Sequence, residues 1–173
     1  MARNVEIKAR LEALAPYLAR AERISGSAGE TIEQEDVFFH GESGRLKLRI
    51  FSSTKGQLIF YQRSNQTGPK TSCYCVAETG QPHELGKVLE QAYGTRAVVK
   101  KVRRLFIAGR TRIHIDSVEG LGDFLELEVV LTDSEDFTNA REEAEELMGQ
   151  LEVDGSQLVG SAYVDLLERG AGV

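Results

Sequence analysis

The chain predicts an α+β fold: an eight-stranded antiparallel β-barrel with a charged lumen and flanking helices, formed by residues 1–173 as one domain. Three observations lead there. Several strand-length stretches alternate charged and apolar residues with a period of two. Turn-forming residues break the chain into about eight such stretches. The helical patterns are few and sit between or after strands, which argues α+β rather than alternating βαβ units.

The alternation is clearest at the two ends. "NVEIKARL" places Asn4, Glu6, Lys8 and Arg10 on one face and Val5, Ile7, Ala9 and Leu11 on the other. "DFLELEVVL" puts Phe124, Glu126, Glu128 and Val130 opposite Leu125, Leu127, Val129 and Leu131. Between them, "RLKLRIF" sets Arg45, Lys47 and Arg49 against Leu46, Leu48 and Ile50. "RTRIHID" sets Arg110, Arg112, His114 and Asp116 against Thr111, Ile113 and Ile115. One charged face is an ordinary solvated strand. Four of them predict convergence in a barrel that is polar inside and apolar outside, the reverse of the usual small soluble barrel.

The strands are expected near 3–11, 34–40, 45–52, 57–64, 70–78, 97–107, 110–117 and 123–132. "HGESG", "STKG", "NQTGP", "AG" and "EGLG" supply turns between them. "GLG" at 120–122 lacks the Lys and Ser/Thr of a phosphate-binding loop and leads into a strand, so it reads as a tight turn. Helices are expected at 12–23, 82–93, 138–151 and 156–169, the last with Ser156 as N-cap. Glu142, Glu143, Glu145 and Glu146 form an acidic helix face turned to solvent. The tail "RGAGV" reads as frayed.

Composition narrows the function. Hydrophobic residues make up 41% and charged residues 28%, values of a globular protein with a sizeable core. A net charge of -6 argues against general affinity for nucleic acid or an anionic membrane, so any anion site must be a local basic cluster. The two cysteines, Cys73 and Cys75, share one strand face opposite Tyr74 and have no second pair to complete a zinc site. They read as buried free thiols of a reducing compartment. The N-terminus has no apolar signal core, and no apolar run is long enough to span a membrane, so a cytoplasmic protein is expected.

The expected inward charges are Glu6, Asp36, Asp116, Glu126 and Glu128 with Lys8, Arg10, Arg45, Lys47, Arg49, Arg63, Lys70, Lys101, Arg103, Arg110 and Arg112. Such a mixture is costly to bury dry. A wet tunnel that grips a polyanion suits it, because Arg and Lys bind phosphoryl oxygens and clustered carboxylates hold a hard divalent cation.

"VEIKARL" resembles the ExExK signature of the CYTH superfamily, the triphosphate tunnel metalloenzymes. "GRLKLR", "YQR", "VKKVRRLF", "RIHIDSVEGLGDFLELEV" and "SAYVDLL" resemble its successive blocks in order, from Asn4 to about Leu167. The chain is most similar to members named class IV adenylyl cyclases, with thiamine triphosphatases in the same superfamily. The resemblance implies the tunnel barrel, a small-molecule triphosphate substrate and Mg²⁺ or Mn²⁺. Members hydrolyse inorganic, thiamine or nucleoside triphosphates, remove RNA 5′-phosphates, or cyclise ATP to cyclic AMP and pyrophosphate. Matching positions imply metal binding by Glu6, Asp116, Glu126 and Glu128. They imply triphosphate binding by Lys47, Arg49, Arg63, Lys70, Lys101, Arg103 and Arg112, with Lys8 and Glu6 in the catalytic group. His114 is read as a structural hydrogen-bonder rather than a base. The chain departs at Asn4, which replaces the first glutamate of ExExK and brings an oxygen ligand without charge. That departure favours a non-catalytic triphosphate or polyphosphate sensor as a further alternative. A monomer and a homodimer both fit.

Overall fold

The computed structural model describes residues 1–132 and 134–170. Its strands are β1 (Ala2–Leu11), β2 (Glu30–Phe39), β3 (Arg45–Ser52), β4 (Lys55–Arg63), β5 (Lys70–Thr79), β6 (Thr95–Ala108), β7 (Thr111–Val118) and β8 (Gly122–Leu131). They close into an antiparallel barrel in the order β1-β5-β4-β3-β2-β6-β7-β8, so the expected architecture is present. Helix α1 (Ala15–Ser25) follows β1, α2 (Pro82–Tyr93) follows β5, and α3 (Phe137–Gln150) and α4 (Tyr163–Gly170) follow β8.

The apolar core lies outside the barrel. Val5, Ile7, Ala9 and Leu11 of β1, Ile113 and Ile115 of β7 and the odd-numbered residues Leu125–Leu131 of β8 are buried. They pack with Ala21 of α1 and Ala140, Ala144 and Leu147 of α3. Proline opens α1 and α2, where a missing amide hydrogen costs nothing. Asp136 caps α3, its carboxylate accepting from the Thr138 amide. Gly109, Gly120 and Gly122 hold positive φ of 60°, 75° and 93°, so "AG" and "GLG" are turns.

The other faces converge inward. One end of the lumen is apolar: Phe38, Val99, Val118 and Phe124 meet Ala162, Tyr163 and Val164 at the start of α4, which caps that end. The chain reaches this position through a short extended run. Leu158 pairs with Ala9, and the Val159 amide donates to the Lys8 carbonyl at 2.8 Å. Gly160 is required there, since a Cβ would come within 2.6 Å of the Asn65 carbonyl oxygen. Arg45 and Arg96 then hold Asp165 of α4 at 2.7 and 2.9 Å.

Several expectations change. The final helix does not start at Ser156: residues Gly155–Gln157 form a 3-10 turn capped by Asp154, and Ser156 supplies an amide to that cap. Burial of Val159–Tyr163 against the barrel end keeps the intervening run extended. Strand β2 starts at Glu30, because the long β6 pairs along the polar "ETIEQ" stretch that hydrophobic alternation alone misses. Arg110 faces outward and binds Glu135 and Glu143, and Arg10 lies at the barrel end over the Phe124 ring. Cys75 is exposed and Cys73 half-buried rather than buried, because the helices pack on other strands and leave the outer face of β5 with little cover. Arg169 and Gly170 belong to α4, and the rest of the tail read as frayed, residues 171–173, lies outside the described residues.

This inside-out arrangement has a test. Leu127 is fully buried between β8 and the helices. Leu127→Ala should cost about 2–5 kcal/mol, the usual loss for a leucine truncated in a packed core. Urea unfolding measures it, and a change under about 1 kcal/mol would contradict a core on the outer face of the barrel.

Candidate active site

The lumen encloses a cavity of about 410 Å³ lined by side chains from every strand, charged ones from all but β5, which contributes Ser72, Tyr74 and Val76. Barrel register fixes which of them meet. Glu128 of β8 lies between Glu6 of β1 and Arg112 of β7, and Glu126 lies between Lys8 and His114. Lys8 Nζ is 2.9 Å from Glu126 Oε1, and Arg103 donates to Glu126 Oε2 at 2.8 Å. Arg112 Nε donates to Glu128 Oε2 at 2.9 Å. Arg63 Nη1 is 3.0 Å from Glu6 Oε1 and donates to the Gly160 carbonyl at 3.1 Å.

Strands β2 and β3, across the barrel from β1 and β8, form the basic wall. Lys47 and Arg49 there converge on Asp36, at 2.8 Å each. Between the two walls, Lys101 and Arg103 of β6 hold Asp116 at 3.0 and 2.6 Å. Asp116 also accepts from the Tyr163 hydroxyl at 3.0 Å, so α4 is tied to the lumen charges. The Tyr163 ring lies under Lys8 Nζ, 3.5 Å from the ring centroid. Lys70 is fully buried, and its Nζ has no hydrogen-bond partner among the described residues.

Burial is the first influence on the groups whose titration shifts here, and local charge decides the outcome. Desolvation pushes Glu128 up, but His114, Arg112 and Arg103 overrule it and bring the carboxyl down to about 2. Desolvation and the neighbouring Glu126 and Glu128 leave Glu6 raised despite Arg63. A carboxylate crowded by others gains from a divalent cation. Burial, with Arg49 beside it, lowers Lys47 to about 7 against the pull of Asp36. Burial brings Lys70 to about 8. His114 is lowered, first by burial and then by Arg103.

The structure thus gathers Lys8, Glu6, Lys47, Arg49, Arg63, Arg112, Lys101, Arg103, Glu126 and Glu128 around one cavity. Asp116 stands apart from the other proposed metal ligands, fully enclosed by Lys101, Arg103 and Tyr163 near the capped end. Among the described residues, a group able to hold a metal ion is His114, Glu126 and Glu128, with ligand atoms within 4.8 Å of one another. Sequence reasoning gave no site role to Asp36, the anchor of the basic wall. It also missed the aromatic lining of Phe38, Tyr61, Tyr74 and Tyr163. Strand parity marks Asp36 and most of these rings as inward. Only the path of the C-terminal segment marks Tyr163.

The CYTH domain family matches residues 2–163. The chain belongs to that family. This CYTH protein is 23% identical over 177 residues to a Methanocaldococcus jannaschii protein named "Putative adenylate cyclase", covering 94% of this chain and 97% of that one. Two solved structures share the fold. A Pyrococcus horikoshii protein is 19% identical with a TM-score of 0.82, over 94% of this chain and 98% of its own. A Pyrococcus furiosus protein is 24% identical with a TM-score of 0.81, over 94% and 99%. Among the described residues of this CYTH chain, no helix is long and apolar enough to cross a membrane.

The low value for Lys47 has a measurable consequence. At pH 8 much of Lys47 is neutral, and a polyanion entering the lumen favours its charged form. Metal-free binding of tripolyphosphate should then draw in a proton. Calorimetry in buffers of different ionisation enthalpy should show greater uptake for the wild type than for Lys47→Arg, by up to about one proton per site. Equal uptake by both proteins would show that Lys47 is already charged.

Proposed function

We propose that this protein is a Mg²⁺- or Mn²⁺-dependent enzyme that takes a triphosphate into its tunnel and cleaves a phosphoanhydride bond. Its substrate class is inorganic, thiamine or nucleoside triphosphate. The observation that supports this best is the opposition of carboxylates on β1 and β8 to the Lys47–Arg49 wall across one wet cavity. A polyanion and a cation occupying the space together would engage both halves at once.

Glu6, Glu126 and Glu128 would hold the metal, and Asp116 orients Lys101 and Arg103 beside it. Bound there, the metal supplies charge neutralisation and lowers the pKa of an attacking oxygen nucleophile. The chain's own residues do the rest. Lys47, Arg49, Arg63, Lys101, Arg103 and Arg112 exchange their carboxylate partners for phosphoryl oxygens, and Lys70 adds a cation whose Nζ has no hydrogen-bond partner among the described residues. Lys8, whose Nζ is 2.9 Å from Glu126, either touches the phosphate chain or orients water. The capped end leaves the opposite mouth, near Phe51 and Gln57, as the route of entry. Catalysis by positioning and electrostatic stabilisation suits such transfers.

A second reading, cyclisation of ATP to cyclic AMP and pyrophosphate, is favoured by the name of the M. jannaschii relative. A substrate panel of inorganic, thiamine and nucleoside triphosphates with Mg²⁺ and Mn²⁺ separates the two, the products being identified by mass. Binding without product would instead support the sensor reading that Asn4 suggests.

Glu126→Gln and Glu128→Gln should each reduce turnover about a hundredfold or more, the order lost with a strong electrostatic stabiliser, while the protein stays folded. Near-wild-type turnover in both variants would overturn the metal assignment. Asn4→Glu adds a carboxylate on the Glu6 face and should lower the Mg²⁺ concentration needed for half-maximal rate. An unchanged Mg²⁺ dependence would make Asn4 a bystander.

A further inference from the structure

We propose that His114 is a direct nitrogen ligand in the metal site and biases it toward a divalent transition metal such as Mn²⁺ over Mg²⁺. The inference rests on the metal-dependent reading of the same carboxylates. It begins with a buried group that the protein leaves unsatisfied. His114 is 4% exposed and lines the cavity, yet its Nδ1 has no hydrogen-bond partner among the described residues. A buried ring nitrogen left without a partner calls for an explanation.

The surrounding geometry suits coordination better than hydrogen bonding. Nδ1 lies 3.8 Å from Glu126 Oε2 and 3.8 Å from Glu128 Oε1. Both are too long for hydrogen bonds. In an octahedral shell with bonds near 2.1 Å, neighbouring ligand atoms are about 3.0 Å apart and opposite ones about 4.2 Å. Both distances from Nδ1 fall between these limits, and the three ligand atoms lie within 4.8 Å of one another, so side-chain shifts would bring them around one ion. Glu128 is already divided in the right sense: Oε2 accepts from Arg112, and Oε1 faces His114. Paired strands hold the set, since His114 is opposite Glu126 and Arg112 opposite Glu128 in the β7–β8 register.

The ligand chemistry then selects the ion. Mg²⁺ prefers oxygen donors and retained water, whereas imidazole suits later divalent metals. An all-carboxylate site gains little from exchanging Mg²⁺ for Mn²⁺. One imidazole among carboxylates shifts that balance.

The test uses the full chain and metal alone. Mn²⁺ binding is followed by loss of the free-ion electron paramagnetic resonance signal, and electron spin echo modulation reports nitrogen bound to Mn²⁺. The wild type should show imidazole nitrogen modulation, and His114→Asn and His114→Gln should abolish it. Both variants should bind Mn²⁺ about tenfold or more weakly, the scale of a perturbed ligand shell, and Mg²⁺ only slightly more weakly. Circular dichroism checks folding, and His40→Asn and His83→Asn should leave the modulation unchanged. If Mn²⁺ binds, is lost in Glu128→Gln, and shows no nitrogen modulation, the His114 assignment falls while the carboxylate site stands. If Glu128→Gln leaves Mn²⁺ binding intact, the metal reading of these carboxylates falls, and the His114 proposal with it.

Discussion

A closed barrel has one face that cannot reach bulk water freely, and in this chain that face carries the charges. Each lumen carboxylate therefore needs a cation at hydrogen-bonding distance, and the register supplies one: Lys8 and Arg103 for Glu126, Arg63 for Glu6, Arg112 for Glu128. Removing one partner of a buried pair typically costs about 3–5 kcal/mol, because the other charge is left uncompensated. The outer apolar core and its helices must carry the folding free energy that such an interior cannot contribute. That is why α1 and α3 lie against β1, β6, β7 and β8 rather than projecting into solvent.

The lumen network is closed at one end by a segment that belongs to no strand. Tyr163 donates to Asp116 and places its ring under Lys8, while Arg63 reaches the Gly160 carbonyl. The cap is thus held by the same side chains that face the cavity. Tightening or loosening those contacts would be felt by α4, whose other ties are the ion pairs of Arg45 and Arg96 with Asp165.

The barrel was legible because strand parity is a two-state signal and charge marks it sharply. Glu126 and Glu128 within a run of leucine and valine leave little choice of inward face. The same rule failed at strand ends: Arg110 shares parity with Arg112 but lies in a turn, where its side chain swings to Glu135 and Glu143 on the outside. Parity also says nothing about cover: composition reads Cys73 and Cys75 as buried, while the outer face of β5 has little helix cover. The C-terminal cap was illegible for a similar reason. "VDGSQLVGSAY" has a capping residue and an apolar face, which reads as a helix. Only contact with Lys8, Ala9 and the Asn65 loop draws its middle into an extended path.

Pair-by-pair neutralisation also explains how an acidic protein can enclose a basic lumen. The net charge is -6, yet the lumen cations Lys8, Lys47, Arg49, Arg63, Lys70, Lys101, Arg103 and Arg112 outnumber Glu6, Asp36, Asp116, Glu126 and Glu128. Outward carboxylates on α3 and the exposed loops supply the negative balance, separated from the lumen by the sheet. Lys70 Nζ has no hydrogen-bond partner among the described residues, and burial lowers both Lys47 and Lys70, which reduces the excess of positive charge in the lumen. On the proposed reading, a polyphosphate would restore that charge as it binds. A site whose full positive potential develops only around its ligand needs less counter-charge when empty. On that reading the basic lumen is reconciled with its burial, and any selectivity for highly charged anions would lie in the interior rather than on the surface.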